Sequence, residues 1–302
     1  EEYIDRVLPD LCEKSARFRY LFNRLCAAVE RIMDEVSEEL QSSDFEPLAF
    51  ELAFGADGQL PAITIREENG TARVVGKVDR VDGWLHDGKL YLRVVDYKTG
   101  KKSFDLAELR YGLGLQMLLY LFTLKEEGQM LFGGHEIVPA GVLYTPAREP
   151  MLRCARDTEP EKIEKALKKE LRRSGMVLED PAVLQAMEHS ALESPCYLPI
   201  AVKRDGAVTG SLASAEQLGK LSKYVDHILH EITQEVFAGN IDADPYARTP
   251  QQSACTYCEF ASACHFENGC GSDRMEYIKA TKNDEFWQYI DEVNGEGAHE
   301  NG

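Results

Sequence analysis

Apolar residues recur at helical spacing near the start of the chain. Leu21, Leu25, Ala28, Val29, Ile32, Val36 and Leu40 form one stripe, and charged side chains fill the other face. One or two helices are expected within residues 1–44. The period then drops to two. Over 45–54, Phe50, Leu52 and Phe54 alternate with Ala49, Glu51 and Ala53, the pattern of a half-buried strand. Residues 73–84 and 90–99 read as two further strands joined by the polar turn 86–89, which predicts a β-hairpin. On its second arm Leu90, Leu92, Val94, Asp96 and Lys98 share one face, because side chains repeat every second residue. A strongly apolar helix is expected over 105–127, with Gln116 and Tyr120 four apart on one side, followed by a strand over 137–144. Helix, three strands, helix and strand in that order predict an α/β core.

Beyond residue 150 the pattern changes. A charged helix is expected over 159–173, a helical segment over 181–192, a hairpin over 197–208 around Asp205 and Gly206, and a long amphipathic helix over 213–237. The expected organisation is therefore an N-terminal helical segment (1–44), a core (45–150), a helical and hairpin extension (151–245), a cysteine-rich region (246–285) and a disordered tail (286–302).

Composition narrows the class. Of 302 residues, 44% are hydrophobic and 28% charged, enough for a packed core and a solvated surface. No apolar run approaches the roughly 18 residues of a membrane helix, so no membrane association is expected. The opening Glu1-Glu2-Tyr3 has neither a basic leader nor an initiator Met and reads as the start of a piece of a longer protein. The cysteines are Cys12, Cys26, Cys154, Cys196, Cys255, Cys258, Cys264 and Cys270. Their clustering near the C-terminus, without secretory signals, points to a metal centre in a reducing, cytoplasmic compartment rather than to disulfides. With 34 Lys and Arg against 52 Asp and Glu, the formal charge is −18. Such a surface repels nucleic acid, so any DNA function must rest on a local basic face, a bound metal or a basic partner. Lys162, Lys165, Lys168, Lys169, Arg172 and Arg173 have the spacing to follow a phosphate backbone, but the interleaved Glu161, Glu164 and Glu170 favour a solvated, ion-paired helix.

Two constellations carry chemistry. Asp96 and Lys98 end a β-branched run, where half-buried charges are costly unless paired or metal-bound. Asp79 on the neighbouring strand approaches them across the hairpin, and Glu51 is a candidate third carboxylate. Oxygen donors beside a lysine suit Mg²⁺ or Mn²⁺; the plainer alternative is a surface salt bridge. The second constellation is Cys255-x2-Cys258-x5-Cys264, a thiolate group of the kind that binds zinc or an iron–sulfur cluster.

The strings GKVDRVDG at 76–83, VVDYKTGK at 94–101 and GLGLQMLLY at 112–120 together resemble the RecB-type nucleases of the PD-(D/E)XK superfamily, most closely the AddB-type nuclease domains of bacterial AddAB helicase–nucleases. The resemblance implies a restriction-endonuclease-like α/β fold, with a central mixed sheet flanked by helices, helical additions and a C-terminal cysteine cluster. It implies a Mg²⁺-dependent deoxyribonuclease acting as an exonuclease on the 5′-ended strand in double-strand-break repair by recombination, with DNA and an AddA-like helicase–nuclease subunit as partners. It makes Asp79 and Asp96 metal ligands, with Glu51 binding the ion or orienting its water, and Lys98 catalytic. Gln116 and Tyr120 then form the motif on the following helix, positioning substrate or Lys98. Cys255, Cys258 and Cys264 match three ligands of a [4Fe–4S] cluster whose fourth ligand lies upstream in the family. No counterpart of that cysteine stands at the expected place, so the cluster is expected to be incomplete or missing here; Cys270 is the local candidate for a substitute. Val78 replaces the superfamily's Pro, and no histidine precedes Glu51. Two alternatives stand beside this reading: a catalytically silent scaffold that clamps DNA or a partner through its cysteines, and a stand-alone nuclease of the same superfamily, such as a CRISPR-adaptation exonuclease.

Overall fold

Strand β5 (Lys89–Lys98) lies inside a six-stranded mixed sheet, and its neighbours decide what each of its faces meets. The structure is a computed structural model that describes residue 6 and residues 15–300; Cys12 lies outside the described residues. In chain order the elements begin with helix α1 (Ala16–Gln41) and strand β1 (Glu46–Phe54). A small hairpin of β2 (Ile63–Glu67) and β3 (Gly70–Val74) leads to β4 (Gly76–His86) and then β5. Helices α2 (Leu106–Arg110) and α3 (Gln116–Glu127) precede β6 (Glu136–Pro146). Helix α4 (Pro160–Leu171), strand β7 (Ser174–Leu178), helix α5 (Pro181–Met187), hairpin β8 (Ile200–Val202) and β9 (Val208–Gly210), and β10 (Leu212–Ala213) follow. Helix α6 (Ala215–Ala238), the cysteine region and helix α8 (Asn283–Glu300) end the chain.

The sheet order is β1-β4-β5-β6-β7-β10. β4 is antiparallel to β1 and β5, β6 is parallel to β5, and the β5–β6 crossover runs through α2 and α3. The restriction-endonuclease-like α/β expectation therefore holds as a central mixed sheet flanked by helices. The sheet takes its last two strands, β7 and β10, from the segment expected to be a peripheral extension. Five residues of β7, four of them buried, directly follow the expected charged helix 159–173 and are too short a run to show a period of two.

Glycines break the expected 105–127 helix. Gly112 and Gly114 sit at φ +69° and +72°, a left-handed turn that separates α2 from α3. Gly112 therefore precedes α3 rather than lying on it. Helix α3 presents Met117, Leu118, Leu121 and Leu124, all buried, to the sheet, and α6 packs on α3. The expected disordered tail 286–302 is instead largely helical: in α8, Phe286, Trp287 and Ile290 are buried and the helix lies along α6. On β1 the alternation fails at Glu51, whose φ of +52° turns the strand, leaving Phe50 exposed while Leu52 and Phe54 stay buried. The apolar stripe of α1 is exposed at Leu21, Leu25 and Val29, and the helix buries Glu39.

Glu39 belongs to a charged network inside the protein. On the face of β4 and β5 turned towards α1, Asp82 Oδ2 accepts from Arg80 Nη2 at 3.0 Å and Arg93 Nε at 2.9 Å. Glu39 Oε2 accepts from Arg173 Nη2 at 2.6 Å and Nε at 3.1 Å, and Glu39 Oε1 lies 3.4 Å from Arg93. Burial pushes the Glu39 carboxyl up, but Arg173, Arg93 and Arg80 together hold it below the usual carboxylate range. Ion pairs this deep persist because every partner is present, and removing one leaves a buried charge unmatched. Asp82→Ala, which strands Arg80 and Arg93, is expected to lower unfolding stability by about 3–5 kcal/mol, read from the midpoint of urea unfolding.

Candidate active site

The opposite face of the same two strands carries the candidate catalytic residues. Arg80 pairs with Val95 in the β4–β5 ladder, so one residue further Asp79 and Asp96 meet side by side on the α3 face. The ladder hydrogen bonds stop there. In their place the Tyr97 N–H donates to Asp79 Oδ2 at 2.9 Å, which orients the carboxylate and leaves Oδ1 outside this bond. Tyr97 is itself held through its ring: its hydroxyl receives Arg80 Nη1 at 2.5 Å. The buried network on one face thus locks the residue whose backbone aims an acid on the other.

Asp96 is 6% exposed. Its Oδ2 is buried and lies 2.7 Å from Lys98 Nζ, which makes the ammonium its one partner among the described residues. Burial is the main cause of a raised Asp96 pKa; Lys98 lowers it, and Asp79 adds to the rise. Parallel pairing brings Tyr144 of β6 beside Asp96, and burial, then Asp96, pushes the phenol up to about 12. Lys98 Nζ stands 5.8 Å from the centre of the Tyr144 ring. Asp79, Asp96 and Lys98 are thus brought together as the spacing requires.

Glu51 is placed differently from Asp79 and Asp96. It is ion-paired with Lys77, two residues before Asp79 on the same strand face, and both carboxylates raise the Lys77 pKa, Glu51 more strongly. Lys77 escaped the sequence reading although its i, i+2 relation to Asp79 was visible there. Gln116 Nε2 donates to Tyr120 Oη at 3.0 Å, and the same oxygen accepts the Lys77 N–H at 3.3 Å. The pair therefore supports the start of β4 rather than Lys98. Tyr120 also stacks on Phe54, with centroids 5.4 Å apart. Gly76 is needed for this approach, since a Cβ there would meet Tyr120 Oη at 2.5 Å.

Among the described residues no group of three or more His, Cys, Asp or Glu side chains is arranged to hold a metal ion. The donor set at β4 and β5 still fits a hard cation: two adjacent carboxylates, one buried beside Lys98 and one oriented by the Tyr97 N–H, match an ion that keeps most of its waters and takes one or two protein oxygens. The cysteines do not meet that test. Cys255 lies in the turn Ala254–Tyr257, Cys264 ends the short α7 (Ala261–Cys264), and Cys258, Cys264 and Cys270 are exposed free thiols beside the sheet β12 (Gln252–Ser253), β11 (Tyr246–Thr249) and β13 (Glu276–Tyr277). The described residues thus do not fit a closed iron–sulfur or zinc site.

Residues 1–265 match a family model described as the PD-(D/E)XK nuclease superfamily. The chain belongs to that superfamily. It is similar to proteins named as subunits of ATP-dependent helicase/deoxyribonuclease: 31% identical over 296 residues to that of Ruminiclostridium cellulolyticum, 33% over 300 residues to that of Acetivibrio thermocellus, and 32% over 302 residues to that of a Thermoanaerobacter species. These alignments take in 96–97% of this chain and 26% of each relative, so the chain spans about a quarter of their length. Among the described residues no helix is long and apolar enough to cross a membrane. On β5 Asp96 and Lys98 form an acid-x-Lys pair, with Asp79 opposite on β4.

A carboxyl whose native pKa is raised binds its proton more tightly in the folded protein. Its ionisation then costs stability, in full above the raised value and not at all well below the ordinary one. Asp96→Asn removes that cost. It is expected to raise the Tm at pH 7 by a few degrees, about 2–4 °C per kcal/mol for a domain of this order, with the gain shrinking as pH falls towards 4. Thermal unfolding across that range, followed by circular dichroism, checks it.

Proposed function

We propose that this chain is the nuclease part of a helicase–nuclease subunit and hydrolyses DNA phosphodiesters with a divalent metal. The observation that carries the reading is the meeting of Asp79, Asp96 and Lys98, with a buried Asp96 oxygen whose one partner among the described residues is the Lys98 ammonium. Asp79 and Asp96 would hold Mg²⁺ or Mn²⁺, which supplies positive charge opposite the scissile phosphate. Lys98, half exposed beside Asp96, donates towards the phosphate oxygens or the attacking water. Tyr97 and the Arg80 network fix the carboxylate geometry, while Gln116 and Tyr120 hold the start of β4. Glu51 flanks the set and joins it on leaving Lys77. The names of the relatives support a helicase partner and DNA as substrate; a role in repair comes from the resemblance. Exonuclease action on the 5′-ended strand, in the cytoplasm, follows from the resemblance. A [4Fe–4S] cluster on Cys255, Cys258 and Cys264 would need a further ligand, and no step is assigned to it.

The engagement of Glu51 by Lys77 favours a second reading, a silent fold that only binds. Digestion of 5′- and 3′-end-labelled single-stranded DNA with Mg²⁺ separates the two. The expected result is degradation by the wild-type chain, with Lys98→Ala and Asp79→Asn each slower by about 10²–10³-fold. Equal cutting by all three proteins would defeat the site assignment, and a wild type that binds without cutting would establish the silent reading.

A further inference from the structure

A concave region shares Lys98 and Tyr144 with the site above and is otherwise lined by residues to which that site gives no role. It is a cleft of about 370 Å³ whose walls come from separate stretches of chain: Lys101 and Lys102 after β5, Arg148 after β6, Lys169 at the end of α4 and Arg172 between α4 and β7. Lys98 stands at its rim, and Glu170 is the one acidic side chain in the lining. In a chain of net charge −18 this is a local reversal of sign.

Glu170 organises the cations more than it cancels them. Its Oε2 lies 3.2 Å from Arg148 Nη2 and 3.3 Å from Lys101 Nζ, bringing strands β5 and β6 to one point. A guanidinium carries five N–H donors, so Arg148 keeps donors beyond the one nitrogen it commits here. Arg172 is braced by the Pro195 carbonyl, and Lys169 has no acidic partner among the described residues. The charged run on α4 thus divides by role. Lys162 and Lys168 are ion-paired along the helix, Arg173 is buried on Glu39, and Lys169 and Arg172 face the cleft.

A cleft lined by one sign of charge concentrates its field and draws in the opposite charge. Here that field opens beside the candidate catalytic lysine, and a cleft of about 370 Å³, the volume of a small-molecule site, has room for the backbone of one strand and not for the two opposed rows of a duplex. We propose that the cleft is a phosphate-backbone subsite that seats the single DNA strand flanking the scissile bond. Its position relative to the scissile phosphate rests on the nuclease reading; its binding of a polyanion does not.

The test measures binding of a fluorescent single-stranded oligonucleotide by anisotropy in EDTA, over a series of salt concentrations. Lys101→Gln/Lys169→Gln changes two exposed cleft residues, and Lys162→Gln/Lys165→Gln makes the same change of charge elsewhere on α4 or in its first turns. The cleft pair is expected to weaken binding about tenfold and to reduce the slope of log K against log salt by about 1.4, or 0.7 per phosphate contact. The outer pair is expected to leave both near wild type. Unchanged affinity and slope in the cleft pair, or equal losses in both pairs, would overturn the proposal. Duplex DNA bound as tightly, with the same dependence on the cleft pair, would overturn the single-strand assignment. Because no metal is present, the two readings fail separately. A chain that binds through the cleft yet never cuts sinks the nuclease reading alone, and one that cuts while the cleft pair binds normally sinks the subsite alone.

Discussion

The pairing of β4 with β5 is the constraint on which the molecule depends. In this ladder Arg80 opposes Val95 and Asp82 opposes Arg93, so successive residues on each strand go to opposite faces. One face receives Arg80, Asp82, Arg93 and Tyr97, and the other receives Asp79, Asp96 and Lys98. A slip of one residue would exchange the two sets, burying the acids under α1 and exposing the arginines to α3. Neither arrangement could then be satisfied. Register is therefore specified twice, by the apolar residues of the core and by charges that have partners on one side only.

The two faces treat charge in opposite ways. Under α1, carboxylates are matched by guanidinium groups, and Glu39 stays ionised despite its burial. On the α3 side, Asp96 is buried with Lys98 as its one cationic partner, and burial still raises its pKa. The first arrangement is a structural solution: it holds Tyr97 and ties α1, β4, β5 and the segment before β7 into one body. The second stores unsatisfied electrostatic demand where a cation would meet it. Perturbed carboxylates with a specific charge partner are a common mark of functional positions. Tyr97 joins the two, its hydroxyl on the structural network and its amide on Asp79.

Charge on the larger scale follows the same logic. An acidic protein that is to take up an acidic polymer needs local positive potential, and the fold assembles it from two short runs that are net positive as sequence, 98–103 and 165–173, together with Arg148. β5 and β6 run parallel and end together, which sets the Lys101 loop beside Arg148. The end of α4 then closes over both. Tertiary placement joins these runs into one basic region.

The sequence by itself determined the α/β order, the hairpin of β4 and β5 and the common face of Asp96 and Lys98, because these follow from local periods that the backbone imposes. It also carried the superfamily, through three short strings at fixed spacings. The breaks at Gly112 and Gly114 and the left-handed Glu51 were beyond it: glycine permits a turn without requiring one, and the twist at Glu51 is chosen by its neighbours. Only the tertiary structure decided that α1 buries a glutamate beneath an exposed apolar stripe and that Arg173 leaves a basic run to meet it 134 residues away. It likewise decided that Tyr120, held by Gln116, reaches the Lys77 N–H and that Lys169 lines the same cleft as Lys98. Such pairings join residues far apart in the chain, and the energy of a buried charge depends on which partner arrives, a fact no local pattern encodes.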